Sequence, residues 1–326
     1  MAEPPSSNGV LAPELGPLRR VLVVANPATR RNVDAVMVAL REAAPAGVSL
    51  EILLTDGPGA AVAITERAAD GADVVVAVGG DGTVADVATG LRGRPIPLAI
   101  VPAGSTNIIA RELGWPADPA AAAAVLFGPN RLRSMDVGRC GDRVFLHMAG
   151  AGIDSRLFAA ANPIWKRRVG WLAYLPPAGA SLRQPAARFT IIADAATLEI
   201  VSPLVLVANG GSIIDPRLTL YPDLRSDDGW LDVLVFTATR PLPIARTLAR
   251  LVSRGLHLSP FVHHLRAKRV EMSADPPLPI QLDGDVAGFT PAAFAVSPGA
   301  LTVVVPAAGS DRLESDRTTG TAAAGA

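Results

Sequence analysis

VVVAVGGDGTVADVATGL, Val74 to Leu91, is the stretch whose reading decides the fold. Its first five residues are all apolar, the pattern of a strand covered on both faces in a parallel sheet. Gly79, Gly80, Asp81, Gly82 and Thr83 follow at once. Val84, Val87, Ala88 and Leu91 then recur at i, i+3, i+4 and i+7, the period of a helix beginning at Thr83. Glycines at the turn let the main chain adopt positive φ and come close to a ligand. Loop amides and a helix N-terminus together bind anions, phosphates above all. A plain turn between strand and helix would also use glycine. A Gly-Gly-Asp-Gly-Thr run closing a fully apolar strand favours the phosphate site.

Outward from that stretch, the first half alternates strand and helix. RVLVVA (Arg20 to Ala25) is a strand that stops at Asn26-Pro27. Val33 to Ala43 reads as a helix, Val48 to Leu54 as a strand, Pro58 to Ala69 as a helix, and PLAIVP (Pro97 to Pro102) as a fourth strand. A short helix is expected over Asn107 to Leu113, with Ser105 or Thr106 as its cap. Such alternation implies right-handed crossovers and a doubly wound, mostly parallel sheet. The strands before Gly79 and before Ala103 should lie side by side, making a switch-point crevice walled by Gly104, Ser105 and Asn107, with Asn26-Pro27 as a further wall.

The second half changes character. RVFLHMA (Arg143 to Ala149), ARFTIIA, LVLVA, LDVLVF, RVEMS, PIQLDG and LTVVVP are closely spaced strand-like runs, the pattern of an antiparallel β-sandwich. Helices are expected near Ile164 to Leu175 and Pro243 to Leu256. The expected organisation is a disordered tail over 1–18, an α/β domain over 19–132, a sandwich over 133–306 whose last strand returns to the first domain, and a second disordered tail over 307–326.

Composition narrows the function classes. The 326 residues carry 30 Lys and Arg against 30 Asp and Glu, so no global field favours nucleic acid, and any basic partner site must be local. No aromatic and basic platform for RNA is evident. Cys140 is the single cysteine, which fits a reducing, cytoplasmic setting. No secretory signal and no apolar run long enough to span a bilayer is visible. No His and Cys spacing suggests zinc, and no Gly-x-Ser-x-Gly elbow suggests a hydrolase. His147 lies within a strand-like run and reads as a packed side chain.

Five segments taken in order carry a resemblance: VANPATR, VAVGGDGTVADVATGL, IVPAGSTNIIARELG, the Asp-Asp-Gly-Trp-Leu-Asp run from Asp227 to Asp232, and IQLDGD. The chain resembles the diacylglycerol kinase catalytic-domain family, which includes bacterial lipid kinases and the sphingosine and ceramide kinases. The resemblance implies an ATP site on the α/β domain, built from Asn26, Pro27, Thr55, Gly79, Gly80, Asp81, Gly82, Thr83, Gly104, Ser105 and Asn107. It implies a lipid site on the sandwich and a catalytic base at Asp283. It also implies a structural Mg2+ held by Asp228 with the carbonyls of Arg225 and Trp230. Asp285 would tune Asp283 or hold the metal. Phosphoryl transfer to an alcohol needs these parts: anchored phosphates, magnesium and a base.

Asp283-Gly284 and Asp228-Gly229 also read as simple hairpin turns. The family's Asn-Glu after Gly-Gly-Asp-Gly-Thr is Ala85-Asp86 here, its Gly-Thr is Gly104-Ser105, and its Asn-Asp-Phe is Asn107-Ile108-Ile109. NAD kinases share the glycine run and form the rival enzyme class; a non-catalytic nucleotide or lipid sensor is a second rival. A lipid substrate at a membrane surface is the expected partner, with peripheral contact through Trp165 to Tyr174, whose tryptophans and Lys166, Arg167 and Arg168 suit an anionic interface. The oligomeric state is open, a homodimer included.

Overall fold

The structure is a computed structural model and describes residues 13–29, 33–153, 155, 186–213, 215–221, 224–253 and 255–307. The segment Trp165 to Tyr174, the helix expected around it, and the outer parts of both tails lie outside the described residues.

The first half folds as β1 (Arg20–Ala25), α1 (Val33–Ala43), β2 (Ser49–Leu54), α2 (Ala60–Ala68), β3 (Val74–Gly79), α3 (Asp81–Gly90), β4 (Leu98–Pro102), α4 (Ile108–Glu112) and α5 (Pro119–Phe127). Strands β2, β1, β3 and β4 pair in parallel in that order. Every side chain from Val74 to Val78 is fully buried, each valine contributing roughly 1.5–3 kcal/mol relative to exposure. Helix α1 turns Val33, Val36, Met37 and Leu40 inward, the stripe that its spacing demands. Helix α5 starts on a proline behind Asp118, whose carboxylate accepts from Ala121 N at 2.9 Å.

The remainder comprises β5 (Asn130–Cys140), β6 (Arg143–Phe145), β7 (Met148–Gly152), β8 (Ala187–Ala193), β9 (Ala196–Ser202), β10 (Leu204–Ala208), β11 (Ser212–Ile213), β12 (Asp215–Thr219), β13 (Leu231–Phe236), α6 (Pro241–Val252), β14 (Val262–Ala267), β15 (Arg269–Asp275), β16 (Pro279–Leu282), β17 (Asp285–Phe289) and β18 (Ala292–Pro306). One antiparallel sheet runs β14-β13-β10-β7-β16-β17. It packs on β8 and β15 of the other sheet through a core that includes Phe145, Phe189, Val233 and Phe294. The fold is therefore an α/β unit with a mostly parallel sheet, joined to an antiparallel β-sandwich.

Strand β18 links the two. It pairs in parallel with β4 at Val303, and antiparallel with β5 along its length and with β15 at its start. Leu132, the expected boundary, falls inside β5. Residues 13–18, placed in a tail on composition, run beside the start of β5, with Leu132 N donating to Pro13 O at 2.8 Å and Leu15 N to Asn130 Oδ1 at 3.0 Å.

Candidate active site

The switch point lies between β1 and β3, because β2 pairs on one side of β1 and β3 on the other. This differs from the expected crevice between β3 and β4. Asn26 leaves β1 at this place, donating its backbone N to Val78 O at 3.0 Å and its Nδ2 to Thr83 Oγ1 at 3.3 Å. Thr55, buried at the end of β2, donates its backbone N to Ala25 O at 2.9 Å. Asn26, Thr55 and the Gly79 to Thr83 turn thus share one end of the sheet.

Helix α3 begins at Asp81, two residues earlier than its apolar period suggested. Gly80 is its extended N-cap (φ −91°) and has no side chain to cap with. The first-turn amides of α3 therefore have no side-chain cap, as an anion site requires. The second loop packs directly on the first: Ala103 N and Gly104 N both donate to Gly79 O, at 2.8 and 3.2 Å. A Cβ at Gly104 would overlap Gly80 Cα, and one at Gly79 would lie 2.5 Å from the Thr83 side chain. These two glycines are needed for close approach rather than for unusual φ.

Two expected ligand groups are used within the protein. Asn107, left-handed at φ 49°, accepts from Gly104 N at 2.8 Å and donates to Gly104 O at 2.9 Å, closing its loop on itself. The cap of α4 is neither Ser105 nor Thr106: Asp81 Oδ1 accepts from Ile109 N at 3.1 Å. Burial raises the Asp81 carboxyl, against the amides of Ile109 and Ile108. Ser105 remains exposed.

Asp283 and Gly284 form a two-residue hairpin turn between paired Leu282 and Asp285, with φ of 47° and 91°. The turn reading is thus correct for the backbone, and the side chain adds more. Asp283 Oδ2 accepts from Leu146 N at 2.7 Å, and Oδ1 accepts from His147 N and Met148 N at 2.9 Å each. Those amides lie where RVFLHMA, expected as one strand, breaks into β6 and β7. Asn209 Nδ2 holds the break from behind, donating to Leu146 O at 2.8 Å. Oδ1 is saturated, whereas Oδ2 keeps one lone pair. Burial pushes the Asp283 carboxyl up to about 6, against the pull of these amides and of His147.

His147 is packed, as expected, but among carboxylates. Its Nδ1 lies 3.3 Å from Glu112 Oε2 of α4. Burial works against its cation, yet Glu112, Asp283 and Asp81 raise it to about 9. The imidazolium therefore faces Asp81 of the glycine-rich turn, Glu112 of α4 and Asp283 of the sandwich turn. A Cβ at Gly210 would strike His147 Nδ1, so glycine makes room for the ring. The sequence signal for this cluster is faint: a histidine in an apolar run, and a glutamate one turn after Ile108.

Asp285 reaches across to the glycine-rich turn. A Cβ at Gly82 would collide with its carboxylate. Behind it, Asp86 pairs with Arg143 at 3.7 Å. Burial raises the Asp86 carboxyl, with Asp285 adding to the effect and Arg143 opposing it. Carboxylate oxygens are the donors that magnesium prefers, completed by phosphate oxygens and water. Among the described residues, no three His, Cys, Asp or Glu side chains form a metal cluster on their own.

The Asp228 turn stands apart from these loops. Asp228 Oδ1 accepts from Trp230 N at 3.1 Å, and Oδ2 pairs with the Arg266 guanidinium. Burial opposes the charge on neighbouring Asp227, yet Arg225 and Arg133 hold its carboxyl below the usual range. The cation beside Asp228 is thus an arginine, and a magnesium held there would have to displace it.

Comparison with known proteins agrees with the fold. Residues 20–140 match the diacylglycerol kinase catalytic domain, and residues 147–305 match the YegS C-terminal NAD kinase beta sandwich-like domain. A probable lipid kinase YegS-like of Pseudomonas aeruginosa is 35% identical over 291 residues, covering 86% of this chain and 91% of its own. A second, from Pseudomonas fluorescens, is 31% identical and covers 88% and 96%. The crystal structure of a diacylglycerol kinase from Bacillus anthracis str. Sterne shares the fold, with a TM-score of 0.64 at 22% identity over 89% of this chain and 98% of that one. An α/β catalytic domain of diacylglycerol kinase type, carrying a sandwich of this kind, defines a kinase. The chain belongs to the YegS-like lipid kinase family.

Proposed function

We propose that the chain transfers the γ-phosphoryl group of ATP, with Mg2+, to a hydroxyl of a diacylglycerol or sphingoid-like lipid. The observation that carries this reading is the contact of the Asp283-Gly284-Asp285 turn with the glycine-rich turn at Gly82. It sets the Asp285 carboxylate of the sandwich beside the Gly80 to Thr83 turn, two residues from the Asp283 carboxylate held by Leu146, His147 and Met148.

The free first-turn amides of α3 and the Gly104 loop would hold the phosphates, with Asn26 and Thr55 at the crevice wall. Magnesium, when bound with the nucleotide, would supply charge neutralisation at the transferring group, and Asp285 would be the side chain that holds it. Asp283 Oδ2, with its one remaining lone pair, would take the proton of the lipid hydroxyl. A carboxyl near 6 is mostly ionised at neutral pH and still basic enough for that step. Incubating the protein with labelled ATP and Mg2+ against dioleoylglycerol, sphingosine and NAD in parallel tests the reading. Label in a lipid is the expected result. Label in NAD alone, or ATP binding without transfer to any acceptor, would overturn it.

A further inference from the structure

Helix α6, Pro241–Val252, faces outward with the wrong side for a soluble surface. Thr247 is its single buried residue. Leu242, Leu248 and Val252 are 61%, 56% and 70% exposed. With exposed Ala245 and Ala249 they fall at i, i+3, i+6, i+7 and i+10 from Leu242, one outward stripe of the helix. Arg246 and Arg250, also exposed, flank this apolar stripe along one side. Leu258, in the 3-10 turn that packs against α6, is 59% exposed.

The charge pattern names the occupant. The chain is neutral overall, yet the sequence holds no Asp or Glu between Asp232 and Glu271. A helix with an apolar outer face, arginines beside it and no acid for eighteen residues on its C-terminal side is built for an anionic interface. Strand β12 touches both α4 and α6, so this face lies one element from the loop that carries Asn107.

We infer that α6 docks the protein on an anionic lipid surface, laying Leu242, Leu248, Val252 and Leu258 into the headgroup boundary with Arg246 and Arg250 on the lipid phosphates. The inference rests on the reading of the chain as an enzyme that takes its substrate from a bilayer. It assigns the contact to a segment other than Trp165 to Tyr174.

The test uses the full chain and vesicles of phosphatidylcholine with about one third phosphatidylglycerol, in sedimentation at low salt. Two variants are compared with the parent: Leu242→Gln/Leu248→Gln/Val252→Gln, and Arg246→Gln/Arg250→Gln. The first should bind at least tenfold more weakly. The second should lose roughly fivefold per arginine, with a flattened salt dependence. Both should keep the parent melting temperature, because exposed side chains contribute little to folding. Both should also keep the parent rate on a short-chain, monomeric diacylglycerol. Unchanged vesicle binding in both variants would overturn the inference. So would a parent dimer that the triple variant splits, with no vesicle binding by either, since α6 would then face a second copy. Vesicle binding that follows these variants while no lipid is phosphorylated would leave the docking face intact and remove the catalytic reading instead.

Discussion

Replacing Asp283 by asparagine removes a charge and swaps one acceptor oxygen for an NH2 group. Three backbone amides now point at the carboxylate. The less damaging orientation keeps the asparagine oxygen on His147 N and Met148 N and turns NH2 towards Leu146 N, so one amide faces a donor. A lost hydrogen bond to a charged acceptor costs about 1.5–3 kcal/mol. Opposing this is the cost of ionising a buried carboxyl. Its pKa rises from 3.8 to about 6, which at neutral pH is worth roughly 3 kcal/mol. The two nearly cancel at pH 7. The sign follows from a raised pKa: the stability contributed by Asp283 is present below its ordinary value and is lost as pH climbs through about 6. Asp283→Asn should therefore melt close to the parent at pH 7 and several degrees below it near pH 4.5. Its kcat/KM for lipid should fall by about 10²–10⁴, the share of a general base, with the KM for ATP little changed. Calorimetry across pH, alongside the labelled-ATP assay, reads both. A variant within tenfold of parent turnover would remove Asp283 as the base. A large melting loss at pH 7 would refute the balance between charge burial and amide bonding.

Gly104→Ala should weaken ATP binding at least tenfold and cost about 1–3 kcal/mol of stability, because its Cβ meets the Gly80 backbone and not a movable side chain; Gly82→Ala, which meets only the Asp285 carboxylate, should cost less in a thermal melt. His147 has its pKa raised from 6.5 to about 9, so its stabilising contribution is full below 6.5 and disappears as pH rises through about 9. His147→Gln should flatten that alkaline loss, and a parent stability that is level from pH 6 to 9.5 would contradict the carboxylate cluster. Arg266→Gln frees Asp228 Oδ2, so Mg2+ binding measured by calorimetry should strengthen relative to the parent; equal affinity would show that the guanidinium does not compete.

The α/β half was legible because its signals are local. An all-apolar strand, glycines and a helical stripe lie within Val74 to Leu91, and the strands found there match those expected to within a residue. Helix α5 escaped because PAAAAAVLF has almost no amphipathic contrast; only Asp118-Pro119 marks its start. The break between β6 and β7 could not be seen in RVFLHMA, since it depends on a carboxylate 136 residues away. The same holds for the cap of α4, which Asp81 supplies across 28 residues. Side chains expected on the ligand, notably the Asn107 amide, proved to hold their own loop. A motif identifies which residues matter more readily than it divides them between ligand and scaffold.

Strand β18 has a mechanical consequence. It is hydrogen-bonded to β4 near one end, to β15 at the other, and to β5 along its length. Asp136 of β5 pins its bulge by accepting from Gly299 N at 2.7 Å, and the same carboxylate accepts from Gly229 N at 2.6 Å. Among the described residues the two halves therefore share no free hinge. Swinging one away from the other would tear a continuous ladder, so admission of a substrate falls to loops and side chains at the crevice. The gap between the Gly82 turn and Asp285 is then set by the length of a strand, which thermal motion changes very little.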